Sequence, residues 1–323
     1  MSVRPLRIGT RASALALWQA NRVADLIRAQ PGAPPVELVH IKTEGDVRTD
    51  IPLWAAGGRA FFTKEIDRAQ LEGQVDIAVH SLKDLSTLLA DGLELAAVLE
   101  REDPRDALLT SHGAHLEDLP TAARVGTSSL RRRAFLLRAR PDLTLLELRG
   151  NVPTRLERLA EGKYDAIVLA TAGLLRLDLA AHIAARIETS VLPPAVSQGA
   201  IGVCARAGDE HALQWLCSLD HGATRVAVTA ERALLRRIEG GCQVPLGALA
   251  TLSGNRLTLR ASVCALDGSM SMDCDERTHL DDNPSSQLAT AAALGVHVAE
   301  LLLARGAGII IAEQRRPANV DLP

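Results

Sequence analysis

The chain has 323 residues, more than one ordinary hydrophobic core supports, so two or three domains are expected. Its 36 basic and 39 acidic residues leave a net charge of −3, which argues against a general nucleic-acid binder. Hydrophobic residues at 47% and charged residues at 23% argue against extensive disorder, and no apolar run of about 18 residues predicts a membrane span.

Strand and helix patterns alternate through the first two-thirds of the chain. Leu6 to Thr10 reads as a strand and Ala12 to Gln30 as an amphipathic helix that stops at Pro31. Val36 to Ile41 is a predicted strand, Thr63 to Glu72 a helix ended by Gly73, and Val75 to Val79 a buried strand. The order then returns, with strand Arg124 to Gly126, helix Ser129 to Ala139, strand Leu143 to Leu148, helix Asn151 to Glu161 and strand Tyr164 to Ala170. Such alternation predicts α/β layering with largely parallel sheets. Arg7-Ile8-Gly9-Thr10 is echoed by Arg124-Val125-Gly126-Thr127, and Gly73-Gln74-Val75-Asp76 by Gly162-Lys163-Tyr164-Asp165. Two similar α/β lobes are one reading of the echo, and chance similarity in an Ala/Val/Ile-rich chain is the other. Pro-containing breaks at Glu100–Pro104 and Leu192–Gly199 read as hinge segments. After Asp220 come a helix Ala223 to Ile238, strands Leu246–Leu252, Arg256–Ala265 and Ser269–Arg277, and a helix Ser285 to Arg305, read as a small α+β domain.

Seven aromatic residues (three Phe, three Trp, one Tyr) are too few for a base-stacking platform. Only Lys42, Lys64, Lys83 and Lys163 are lysines, so arginine, whose planar fork suits carboxylates and phosphates, supplies most of the positive charge. The segment from Met1 to Arg11 has no apolar stretch of the kind that directs secretion, and the five cysteines form no C-x-x-C pair. Reduced thiols in a cytoplasmic protein, with no disulfide and no metal, are expected. Cys204, Cys217 and Cys264 read as buried small hydrophobes, and Cys274, between Asp273 and Asp275, is poorly placed to ionise. Cys242, between Gly240-Gly241 and Gln243-Val244-Pro245, sits on a loop of permissive backbone and is the thiol placed for chemistry.

The junctions at 8–13 and 125–129 each join a strand to a helix, where free N–H groups can bind an anion; Ser or Thr there is equally an ordinary N-cap. Arg131, Arg132 and Arg133 follow the second junction, and Arg149 and Arg155 flank the next. Successive helical residues diverge by about 100°, so at most two of the three adjacent arginines can serve one ligand. A solvated charge run is one reading. The other is a polyanion site, because Arg131 and Arg132 in a first turn oppose the helix dipole unless an anion is near. Asp84, in Val79-His80-Ser81-Leu82-Lys83-Asp84-Leu85, is either a salt-bridge partner or the acid that stabilises a developing cation and moves a proton. His80 reads first as a packed histidine at a strand end.

Several segments resemble the porphobilinogen deaminase family, in order, from Leu6 to about Ala312. They are Arg7-Ile8-Gly9-Thr10-Arg11 through Gln19, Asp76 to Asp84, Arg101-Glu102-Asp103-Pro104-Arg105-Asp106, Gly126 to Arg132, Leu148 to Arg155, and Glu239 to Pro245. The resemblance implies an α/β protein: two periplasmic-binding-protein-like lobes (1–99 with 200–217, and 105–193) and a small α+β C-terminal domain (222–323) carrying the cofactor cysteine. It implies a monomeric transferase of tetrapyrrole, porphyrin and heme biosynthesis. Four porphobilinogen molecules are condensed head to tail, with loss of ammonia, on a covalent dipyrromethane primer, and linear hydroxymethylbilane is released. No metal, nucleic acid or membrane is implied.

Position by position, the resemblance makes Asp84 catalytic and Cys242 the thioether attachment point. Ser81, Lys83, Asp46, Thr127, Ser129, Arg131 and Arg132 match cofactor-holding positions. Arg11, Ser13, Gln19, Arg149, Arg155, Arg176 and Gln198 match substrate positions. Porphobilinogen carries an acetate and a propionate, so a growing chain gathers carboxylates that arginine forks suit. Some positions depart: Ala55 and Arg59, in a loop from Trp54 to Phe62, stand where lysines are common, Ser86 where proline is usual and Ser197 where glycine is frequent. The rival class is a non-catalytic anion or solute binder, for which a third domain with Cys242 has no purpose.

Overall fold

The computed structural model describes residues 4–43, 63–113, 115–238 and 244–315. Three sheets organise them. The first has the order β2 (Val36–His40), β1 (Leu6–Thr10), β3 (Ile77–Ser81), β10 (Ile201–Arg206), β4 (Leu93–Val98). The second has the order β7 (Thr144–Leu146), β6 (Arg124–Gly126), β8 (Ala166–Ala170), β5 (Asp106–Thr110), β9 (Ala185–Ile187). These are one arrangement used twice. β1 pairs in parallel with β2 and β3 as β6 does with β7 and β8. β10 lies antiparallel between β3 and β4 as β5 does between β8 and β9.

The sheets are therefore mixed, where the sequence predicts largely parallel ones. The cause lies in the crossings. The chain passes from the first sheet to the second between Val98 and Asp106 and returns between Ile187 and Ile201, and each time the first strand after the crossing enters antiparallel. The echo seen in the sequence extends to side chains. Arg7 donates to Asp76 Oδ2 at 3.0 Å and to the Gly73 carbonyl at 2.7 Å, and Arg124 donates to Asp165 Oδ2 at 3.1 Å and to the Gly162 carbonyl at 3.0 Å.

The third sheet is the antiparallel run β11 (Leu246–Ser253), β12 (Arg256–Cys264), β13 (Ser271–His279). Helices Gly222–Arg237 and Pro284–Ala304 share its core, which includes Leu234, Leu257, Leu259, Val263, Val298 and Leu302. A Cβ on Gly295 would meet the Ala230 carbonyl oxygen at 2.2 Å, so glycine is what lets the two helices touch. Contrary to the sequence reading, Pro284–Ala304 is long and apolar enough to cross a membrane by length and composition; here Ala291, Leu294, Gly295, Val298, Ala299 and Leu302 are its buried side.

Cys204, Cys264 and Cys274 are buried, and loss of water pushes the first two thiols up to about 12 and about 11. Cys217 is exposed, against expectation, because it opens a 3₁₀ turn that leaves the Glu210–Leu216 helix on its outer side. On the return crossing, Ser197 has φ of 63°, the left-handed region where glycine has no steric cost. Its N–H donates to Glu231 at 2.6 Å, and this fully buried carboxylate also accepts from Arg101 at 2.6 Å and from the Ala250 N–H at 2.8 Å. One side chain thus joins both crossings to the third sheet.

Candidate active site

The carboxyl ends of β1 and β3 supply the first wall. Ser13 caps the Ala14–Arg28 helix, accepting from the Ala16 N–H at 3.4 Å, and within that helix the buried Gln19 donates to Ser81 Oγ at 2.8 Å. After Ser81 the chain makes a 3₁₀ turn, Leu82–Asp84. Leu82 and Leu85 are buried beneath it, whereas Asp84 is exposed. Lys83 donates to Gln198 Oε1 at 3.2 Å. Loss of water is the largest influence on its ammonium and, with Arg132 and Arg131 repelling it, outweighs Asp84 and Asp106 to bring the pKa down to about 8.

The second wall starts at β6. Ser129 caps the Leu130–Ala139 helix, accepting from the Arg132 N–H at 3.4 Å, and Thr127 Oγ1 accepts from the Ser129 N–H at 3.2 Å. Arg131 and Arg132 each donate to Asp106 at 2.7 Å, and Gln198 donates to the same carboxylate at 3.0 Å. Asp106 is completely buried, which alone would raise its pKa; the paired guanidiniums win and hold it well below the usual carboxylate range. Arg133 is exposed, so two of the three adjacent arginines do turn to one partner. That partner corrects the expectation: the helix-dipole conflict is answered inside the protein, by Asp106, before any ligand arrives.

Arg155 donates to the Gly150 carbonyl at 2.8 Å, and burial, then Arg132 and Arg149, lower its pKa to about 10. Arg176 reaches from the second lobe to the Gly199 carbonyl at 2.5 Å and lies 5.8 Å from the ring centre of Trp18 in the first lobe. Burial lowers its pKa to about 10 as well. His80 is a packed histidine: buried at the end of β3 and beside Arg11, it is pushed down to about 4 and carries no charge at neutral pH. Asp46, Cys242 and the loop containing Ala55 and Arg59 lie outside the described residues.

Arg131, Arg132 and Gln198 bond to Asp106, and Lys83, Asp84, Arg132, Arg149 and Arg155 are linked to one another by their charges, with Gln198 as a bridge between lobes. The sequence reading assigned no role to Asp106, Arg101, Glu231 or Arg232. For Asp106 a signal was present, since two adjacent arginines in a first turn call for a nearby anion. For Glu231 no local signal exists, because its partners lie in three other segments of the chain.

Cations partly stripped of water and gathered from two lobes, two of them paired to the buried Asp106 and two within the field of the exposed Asp84, define an enzyme-like site for a ligand bearing several carboxylates. Residues 6–214 match the family model for porphobilinogen deaminase, dipyromethane cofactor binding domain, and residues 225–304 match that for the porphobilinogen deaminase C-terminal domain. Over 312 residues the chain is 47% identical to porphobilinogen deaminase of Syntrophotalea carbinolica, covering 97% of this chain and 96% of the relative. It is 47% identical over 314 residues to that of Geobacter metallireducens, with the same coverage. The chain belongs to the porphobilinogen deaminase family.

Among solved structures, a nutrient-binding protein from Burkholderia cenocepacia bound to methionine aligns at TM-score 0.42 and 16% identity, over 65% of this chain and 89% of that one. The Bordetella pertussis BvgS periplasmic VFT2 domain aligns at TM-score 0.39 and 14% identity, over 66% of this chain and 85% of that one. The family's cofactor, a dipyrromethane, fits the residues present. Arg131 keeps a buried Nε without a hydrogen-bond partner among the described residues, and Lys83 and Arg155 have depressed pKa values that carboxylates would restore.

Proposed function

We propose that this chain is a cytoplasmic, monomeric hydroxymethylbilane-forming enzyme, divided as lobe 1 (1–99 with 200–217), lobe 2 (105–193) and a third domain (222–323). It joins four porphobilinogen molecules head to tail on a dipyrromethane held by a thioether to Cys242, releasing ammonia each time, and then frees the product by hydrolysis. The observation that carries this reading is the exposed Asp84 carboxylate, whose charge Lys83 and Arg155 both feel inside a water-poor set of guanidiniums.

Lys83, Arg131 and Arg132, with Ser81, Thr127, Ser129 and Asp46, hold the carboxylates and ring N–H groups of the primer. Arg11, Arg149, Arg155 and Arg176, with Ser13 and Gln19, receive the incoming substrate. Gln198, expected at a substrate position, has both amide protons on Pro104 and Asp106 and its oxygen on Lys83, so we assign it to fixing Lys83 beside the incoming substrate. When bound, the primer supplies a nucleophilic pyrrole carbon. In each addition the C–N bond of the substrate's protonated aminomethyl group breaks, the bonding pair leaves with ammonia, and positive charge develops on the substrate's pyrrole. Asp84 stabilises that charge and accepts the ring proton displaced as the new C–C bond forms.

Two measurements test this. Asp84→Asn is expected to fold normally and to lower kcat by roughly 10²–10⁴-fold, the usual weight of a positioned acid–base group. Intact-mass spectrometry is expected to show two linked pyrrole units on the purified protein and none on Cys242→Ser. Wild-type turnover in the first variant, or the adduct retained on the second, removes the corresponding assignment.

A further inference from the structure

The Gly222–Arg237 helix shares the core of the third sheet, yet part of it is committed to the first lobe. Val228 packs in a cluster with Leu82 and Leu85, the buried residues on either side of Lys83-Asp84. One helical turn further, Arg232 is 8% exposed and donates to two successive carbonyls, Leu85 at 3.1 Å and Ser86 at 2.5 Å. One more turn on, Arg236 donates to the Thr87 carbonyl. Spacings of four residues align these side chains along the segment that leaves Asp84.

The turn that presents Asp84 is anchored at its start by the buried Leu82, whose N–H donates to the Ala200 carbonyl at 3.0 Å, and by Lys83 on Gln198; its exit is held less closely. The Leu85 N–H reaches the Leu82 carbonyl at 3.3 Å, and the Ser86 hydroxyl accepts from the Leu88 N–H at 3.2 Å. Residue 86 is serine, so no ring fixes its φ. A guanidinium fork can fix two adjacent peptide planes together, which a single ammonium cannot. We propose that Arg232 is a positioning residue for Asp84: by gripping the Leu85 and Ser86 carbonyls from the third domain, it sets the aim of the acid in the cleft. The proposal rests on the catalytic reading of Asp84. It also links two parts of the reaction, since Cys242 lies a few residues beyond the end of the same helix in the chain.

The test compares Arg232→Met, Arg232→Lys, Arg236→Met and Asp84→Asn as full-length holoproteins. Arg232→Met is expected to lower kcat about 10- to 100-fold, the loss that accompanies displacement of a reacting group by about an ångström. KM for porphobilinogen stays within about twofold and the pyrrole adduct remains by mass, as expected of lost aim with binding intact. Arg232→Lys recovers part of kcat, and Arg236→Met stays near wild type. Should Arg232→Met not fold, the lysine variant decides, with a several-fold lower kcat at unchanged KM in support. Wild-type kcat in Arg232→Lys and in any folded Arg232→Met overturns the proposal. So does a joint fall of kcat, thermal midpoint and adduct in the lysine variant, which marks a structural role alone. Wild-type turnover in Asp84→Asn defeats the underlying reading instead, and so separates the two failures.

Discussion

Lys83 holds its proton loosely, and this has a measurable consequence. With its pKa lowered to about 8, chiefly by loss of water, the ammonium is charged below that pH and neutral above it. In protein freed of its primer, affinity for a pyrrole polycarboxylate is therefore expected to fall as pH rises from 7 to 9. The fall should approach about tenfold, the most that one group titrating near 8 allows over that range when its charge-assisted hydrogen bond is lost. Lys83→Met should flatten that limb; a binding titration across the range that is already flat in the wild type takes Lys83 out of the anion site. The sequence marked Lys83 by its motif, but its proton affinity depends on Arg131 and Arg132, which reach it from the other lobe. Cys217 departs from expectation for a related reason: a free cysteine is usually a buried small hydrophobe, while the side of the turn it occupies is set by how the preceding helix docks.

Among the elements, the Leu130–Ala139 helix shows most plainly how packing completes a local pattern. Its cap at Ser129 was legible because capping involves only neighbours, whereas Ser13 and Asn151, read as part of their helices, prove to be the caps that precede them. Its two first-turn arginines became intelligible only with Asp106 in place. Asp106→Asn leaves those buried guanidiniums without a counter-charge and is expected to cost about 3–5 kcal/mol of folding stability. Denaturant titration checks this. A change below about 1 kcal/mol would mean that the Pro193 and Val168 carbonyls suffice to hold the pair. Strands β5 and β10 were not legible because short, almost fully buried runs have no period to detect; β9 is only three residues, and β4 is half-buried without a clean alternation. The repeat was legible in β1, β6, β3 and β8, where Arg–Asp pairing required the same residues twice.

At the scale of the whole molecule, Glu231 ties both crossings between the first two sheets to the third. Glu231→Gln keeps the shape but removes the charge opposite Arg101 and one acceptor for the Ser197 or Ala250 N–H. A loss of about 3–5 kcal/mol is expected, together with faster proteolytic cleavage between Ile187 and Ile201. Unchanged cleavage kinetics would show that the crossing is held by other contacts. Ser197 adds to the tension there, being a non-glycine residue in the left-handed region.

The place of β10 also governs how the protein can be made. It sits inside the first sheet, between β3 and β4, but it is synthesised only after the entire second sheet. A nascent chain therefore carries β3 with a bare hydrogen-bonding edge, and β4 waits roughly a hundred residues for its neighbour. The lobe begun first at the ribosome is the one finished last. A product truncated short of Ile201 accordingly holds every strand of the second sheet yet leaves the first unfinished, a sticky fragment for chaperones to shield.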